Sequence, residues 1–264
     1  MRPFRVFLTC LALLVARPVA AAELRPATVE GFNRYVAAYE AQSAKAPFLW
    51  IDGDSAEQRR ARGLARSGGL VMERIQVREG GRDIEIPDGI VHHWLGTVFV
   101  SGATVDKALG LLQAYDRHAD IYKPAIARSR LISRNAETFT FFLRFYAKKV
   151  ITVVLNSDHE ARFTREDATR ARSRIVSTRI TEVENPDTPQ EREKPVGNDG
   201  GFLWRLNSYW RVMERDGGVY VQCETLSLTR SIPFGLNWIV GPFVTSVPRE
   251  LLSFTLVTSR TALR

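Results

Sequence analysis

Residues 91–101 read VHHWLGTVFVS, and Gly102-Ala103-Thr104 follows directly. Trp94, Val98 and Val100 fall on one side of an extended chain, with Leu95 and Phe99 on the other. A strand that is apolar on both sides needs a cover on both. Gly102 and Ala103 break the strand, and Thr104 offers a side-chain oxygen to cap a helix from about Val105 to Ile121. Ala108, Leu111, Leu112 and Tyr115 make that helix's buried stripe, and Tyr122-Lys123-Pro124 stops it.

Downstream, strands crowd together: Ile126 to Ser133, Thr138 to Ala147, Val150 to Phe163 and Arg172 to Glu184. Residues 185–201 hold Pro186, Pro189, Pro195 and three glycines among alternating acids and bases, and read as a long solvated connection. Phe202 to Arg215 and Val219 to Arg230 are joined by Asp216-Gly217-Gly218, a strong hairpin signal. A last helix runs from about Pro248 to Leu263, with Leu252, Leu256 and Leu263 on one face. Helices segregated from a meandering antiparallel sheet mean an α+β fold.

Upstream, residues 1–22 have the form of a secretory signal. Arg2 and Arg5 precede an apolar run from Val6 to Val15, and Ala20-Ala21-Ala22 gives a cleavage site. The run is about ten residues, against the ~20 needed to span a bilayer. The expected product is periplasmic or secreted, and its charge falls from +8 to +5 as Arg2, Arg5 and Arg17 leave. That excess is spread along the chain with no basic, aromatic-interleaved block, which argues against nucleic acid as a partner. Cys223 is then the only cysteine, so the core rather than a disulfide must hold the fold. Residues 23–85 form an N-terminal α/β elaboration. In it Thr28 caps a helix carrying Phe32, Tyr35, Val36 and Tyr39 on one face, a basic helix covers Ala56 to Ala65, and a hairpin turns at Glu79-Gly80-Gly81-Arg82. Residues 86–264 are the main domain.

Three pieces of that domain carry a family likeness. They are Gly102-Ala103-Thr104-Val105-Asp106-Lys107-Ala108-Leu109, then Leu112 to Pro124 with Tyr115, His118 and Tyr122, then Gly217 to Glu224 with Pro242 to Leu263. Together the span Val91 to Leu263 resembles the START-like superfamily (SRPBCC, Bet v 1-like), which includes lipid-transfer, polyketide cyclase-like and coenzyme Q-binding proteins. The resemblance implies a helix-grip fold: a curved antiparallel sheet around a long C-terminal helix, with a ligand cavity between them. Physics supports the cavity separately. A bent sheet closed by one helix leaves inner side chains out of mutual reach, and an apolar void accepts apolar guests.

Candidate ligand contacts follow. Phe139, Phe141 and Phe145 share a strand face, and Trp204 and Trp210 share another. Arg144, Tyr146, Arg179, Asn207, Tyr209 and Glu224 lie on central strands, where each either faces inward to orient a polar head group or faces outward. Between Ser231 and Val247, Phe234, Trp238 and Phe243 lie in a segment unusually apolar for a connection. It reads as a gate, as a transient membrane contact, or as a piece tucked under the last helix.

No metal site is expected. His92 and His93 point to opposite faces as ordinary half-exposed residues, His118 and His159 are isolated, and Asp158-His159-Glu160 reads as a turn. There is no Gly-x-Ser-x-Gly elbow, no phosphate loop and no cofactor motif, and Cys223 reads as buried and inert. The expectation is an exported binder of a lipid-like or polycyclic molecule. Its rivals are a cyclase or hydratase using the same cavity, and an envelope interaction protein with the cavity closed.

Overall fold

The computed structural model describes residues 22–149, 151–232 and 246–264. Eight strands make the path of the main sheet: β1 (Val71–Arg74), β2 (Gly89–Ser101), β3 (Ile126–Asn135), β4 (Thr138–Lys148), β5 (Thr152–Arg165), β6 (Arg170–Glu184), β7 (Arg205–Arg215) and β8 (Gly218–Arg230). Their order in space is β1-β2-β8-β7-β6-β5-β4-β3, antiparallel throughout. The turn from β7 to β8 puts Asp216 and Gly217 at positive φ, 60° and 74°, the geometry that matches strand twist in a tight hairpin. Register breaks between Asp158 and His159 on β5, and twice along β3, bend the sheet.

Among the described residues five helices flank it: α1 (Pro26–Ser43), α2 (Ala56–Arg66), α3 (Val105–Gln113), α4 (His118–Ile121) and α5 (Val247–Leu263). On the concave face, Leu252, Leu256 and Leu263 of α5 meet Val98, Val100, Leu112, Phe141 and Trp210 in the largest core cluster. A Cβ on Gly96 would overlap Leu256 Cδ1 and come to 2.9 Å from Met72 Sδ, so glycine there lets α5 lie close on β2. On the outer face, Phe32, Tyr35, Val36 and Tyr39 of α1 pack against Tyr209, Leu226 and Leu228. Both sides of β2 are covered, as its sequence demands. The fold is α+β, a helix grip.

Three local expectations change. Helix α1 begins at Pro26 rather than after Thr28, because proline has no N–H to lose in a first turn; Thr28 is buried inside it. The helix expected through Ile121 stops at Gln113, and Ala114 (φ −78°, ψ 54°) leads into a 3₁₀ turn at Tyr115–Arg117 and then α4. Side-chain bonds replace the helical ladder there: His118 Nε2 donates to the Leu111 carbonyl (3.4 Å), and Leu131 N–H donates to Asp116 (2.8 Å). Residues 185–201 are an exposed connection over most of their length, as expected, but not a free one. They lie back over the sheet, with Arg192–Glu193 paired to β6 and Asn198–Asp199 paired to Ala22–Glu23.

Candidate functional site

Strand alternation decides what the concave face presents. From β4 come Phe141, Leu143 and Phe145, from β5 Leu155 and His159, from β7 Leu206, Ser208 and Trp210, and from β8 Cys223, Thr225, Ser227 and Thr229. Helices α3 and α4 with the turn between them add Leu112, Tyr115 and His118, Tyr122 follows α4, and α5 adds Leu251, Leu252 and Thr255. These residues line a partly open cavity of about 200 Å³. Among the described residues that line it there is no Asp, Glu, Lys or Arg.

The titratable groups in the wall are held neutral by burial. His118 is lowered to about 4 and His159 to about 3, while Tyr122 is pushed up to about 12. Burial also raises the Tyr115 phenol and the Cys223 thiol. Tyr115 stacks on Phe141 (centroids 3.7 Å apart, planes at 13°), and Phe141 stacks on His159, directly across the β4–β5 ladder (5.0 Å, 12°). Tyr122 Oη and Ser259 Oγ share a hydrogen bond of 2.9 Å. Three wall groups have no hydrogen-bond partner among the described residues: Tyr115 Oη, His159 Nδ1 and Ser227 Oγ.

Of the predicted ligand contacts, Phe141 and Tyr146 line this cavity, and so do Phe145 and Trp210. Phe139 shares their core but packs beyond it, edge-on to Phe163 at 5.4 Å. The other six face outward. Asn207 and Tyr209 alternate with the cavity residues Leu206, Ser208 and Trp210, and Tyr209 Oη donates to Glu40 of α1 at 2.7 Å. Glu224 lies under α1, within 3.4 Å of His93 Nε2. Trp204 precedes β7, so the alternation does not reach it; it packs with the α1 cluster and donates to Asp199 at 3.0 Å. Arg144 is buried under residues 187–193, where its guanidinium holds Glu191 at 2.6 and 3.1 Å and Asn156 at 2.8 Å. Arg179 pairs with Asp158 and Glu193.

The histidine readings also need correction. His92 and His93 do point to opposite faces, but both are buried: His92 bonds Thr229 Oγ1 at 3.0 Å, and burial lowers it to about 4. Asp158-His159-Glu160 is mid-strand, with only the imidazole turned inward. Its period-2 spacing from Leu155 and Phe163 was the signal that could have placed it. The gate residues Phe234, Trp238 and Phe243 lie outside the described residues. Among the described residues, no three His, Cys, Asp or Glu side chains stand close enough to share a metal ion, and no helix is long and apolar enough to cross a membrane.

No family model and no curated protein matches the chain. Solved structures do. The STAR-related lipid transfer protein of Xanthomonas axonopodis (fragment 25–204) is 16% identical at a TM-score of 0.47, over 72% of this chain and 98% of that one. Human STARD10 is 10% identical at 0.47, over 80% of each chain. The Zhui aromatase/cyclase of Streptomyces sp. R1128 is 12% identical at 0.43, over 65% of this chain and 93% of that one. What identifies the fold is the chain's own topology: one bent antiparallel sheet, with a long C-terminal helix laid across its hollow, is the helix-grip architecture of START-like proteins.

Proposed function

We propose that this chain binds, and carries, one compact uncharged hydrophobic molecule in the cavity beneath α5. The supporting observation is the cavity itself: about 200 Å³, walled by aromatic and aliphatic side chains, with no charged residue in its described lining. Apolar cavities of ~150 Å³ stay dry and take guests the size of benzene. Each Å² of apolar surface removed from water contributes ~25 cal/mol before ordering costs. A phosphate or carboxylate would find no counter-charge in this wall, and burying an unpaired ion costs more than such contacts return. A molecule of a few rings fits better than a two-chain lipid. Export through cleavage near Ala22, and a gate or membrane contact at Phe234, Trp238 and Phe243, complete the reading; both rest on the sequence.

Native mass spectrometry of the mature protein tests the first part. The protein should retain a small molecule, or take up N-phenyl-1-naphthylamine one-to-one. Leu112→Trp, which fills the cavity, should weaken uptake by about tenfold or more, ~1.4 kcal/mol, with unchanged circular dichroism. A folded protein that neither retains nor takes up any apolar compound would overturn the proposal.

One observation favours a second reading. Tyr115 and Tyr122 flank His118 at ring distances of 4.9 and 5.1 Å, a tyrosyl pair beside a ligand-sized space, as a cyclase or hydratase would use. Burial moves both phenols up and the imidazole down, away from the range where they exchange protons at neutral pH. Binding therefore leads. Turnover of a bound compound that Tyr122→Phe abolishes without loss of affinity would reverse the order.

A further inference from the structure

His159 is a wall of the cavity, and the direction of its bonds can be worked out. Ser157 Oγ donates to the Leu143 carbonyl at 3.1 Å, so its one proton is committed. This contact and the one between His159 Nε2 and Ser157 Oγ (2.8 Å) are both hydrogen bonds only when Nε2–H donates to the hydroxyl. In the tautomer that satisfies both contacts, Nδ1 carries a lone pair and no proton. The ring is only 3% exposed, and burial keeps it from taking a second proton. Nδ1 is thus an acceptor with no donor among the described residues. A buried polar atom left so costs about 1–3 kcal/mol, which a partner would recover. The Tyr115 and Ser227 hydroxyls, also partnerless, can give or accept.

We propose that the cavity selects ligands bearing a hydrogen-bond donor, an alcohol or phenol hydroxyl on an apolar ring body, which His159 Nδ1 accepts. This deepens the carrier reading and rests on it. An uncharged ring alcohol satisfies every constraint the wall sets. It brings no charge to a charge-free space, it stacks along the aromatic run of Tyr115, Phe141 and His159, and it supplies the one proton that run lacks. A ketone, ester or ether of the same shape brings only acceptors and leaves Nδ1 unsatisfied.

The test is a matched pair, 2-naphthol and 2-methoxynaphthalene, titrated into the full mature protein by calorimetry. The naphthol should bind about tenfold tighter, the ratio expected for one buried hydrogen bond. His159→Phe keeps a ring against Phe141 and removes the acceptor, and in it the two compounds should bind alike. In wild-type protein with ¹⁵N-labelled histidine, the Nδ1 resonance should move when the naphthol enters and not when the ether does; this decides the matter even if the variant does not fold. Equal affinities in wild type, or a preference that survives His159→Phe, overturn the inference and leave the carrier reading standing. If neither compound binds, the inference falls, and native mass spectrometry decides the carrier reading separately.

Discussion

The two faces of this sheet bury polar side chains differently, in a linked network under α1 and as separate neutral groups around the cavity. Under α1, on the outer face, Tyr35, His93, Gln222 and Glu224 are linked side chain to side chain, while the buried hydroxyls of Thr28 and Thr97 have no partner among the described residues. Val77 N–H donates to Tyr35 Oη (3.2 Å), which bonds His93 Nδ1 (3.2 Å), while His93 Nε2 reaches Glu224 (3.4 Å). Gln222 donates to the same carboxylate at 3.1 Å and accepts from Trp50 N–H at 2.7 Å, and Arg211 stands 3.9 Å away. On the concave face the polar groups lining the cavity are neutral, and three of them have no partner among the described residues. Buried groups that are fully paired hold elements together. Buried groups that are unpaired beside a cavity await something from outside. Arg144 and Glu224, the residues whose chemistry looks most like a head-group site, belong to the first kind.

The sharpest way to break this comparison is Glu224→Leu. It removes the carboxylate that stands 3.9 Å from the Arg211 guanidinium, which keeps its bonds to the Phe48 carbonyl and Ser43 Oγ, and it takes the acceptor from His93 Nε2 and Gln222 Nε2 at once. Removing one member of a buried charged set costs about 3–5 kcal/mol, and urea unfolding should show a loss of that size. A loss below about 1 kcal/mol would mean that the outer network is ornamental and that α1 is held by its aromatic stripe alone.

The sequence carried the fold where the signal was local. The doubly apolar β2, the Asp216-Gly217 turn and the leucine stripe of α5 each depend on neighbours a few residues away. It carried much less of the site. Asn207, Tyr209 and Glu224 alternate with cavity residues on strands whose two faces are both buried, so period 2 separates the faces without saying which is hollow. That choice is made by the bulge in β5 and by where α1 docks, both of them long-range events. Residues 185–201 look solvated by composition, yet Glu191 and Glu193 serve Arg144 and Asn156 across the sheet. His159 was hidden by its flanks: Asp158 and Glu160 face the other way, one toward Arg179 and the other exposed to solvent.

A smaller effect tests the same outer face through pH. Asp199, buried, accepts from Gly201 N–H (2.8 Å) and Trp204 Nε1 (3.0 Å), and burial with the nearby Glu182 carboxylate pushes its acidity up to about 6. The unfolded carboxyl is ordinary, near 3.8. The folded state therefore holds this proton more tightly. Its contribution is fully present below about pH 4 and is lost as pH rises through about 6. Asp199→Asn keeps the acceptor oxygen and removes the charge. Measured against wild type, the variant should gain on the order of 2 kcal/mol in unfolding free energy between pH 4 and pH 7. A difference that does not change with pH would mean that the carboxyl titrates normally.

The smallest expected effect is the most telling, because it is small for a buried, hydrogen-bonded histidine. His159→Phe loses one bond, Nε2–H to Ser157, worth about 1 kcal/mol, and Ser157 still donates to Leu143. It also removes an acceptor whose lack of a partner costs about as much, and it keeps a ring stacked on Phe141 beside open space. At pH 7 the ligand-free variant should therefore lie within about 1 kcal/mol of wild type, on either side. The same kind of change under α1 costs several times more. If His159→Phe proves as damaging as Glu224→Leu, then Nδ1 has a structural partner, a buried water being the natural one. The His159 ring would then be as fully paired as the Tyr35–His93–Glu224 network, and the distinction between a holding network and a binding wall would disappear.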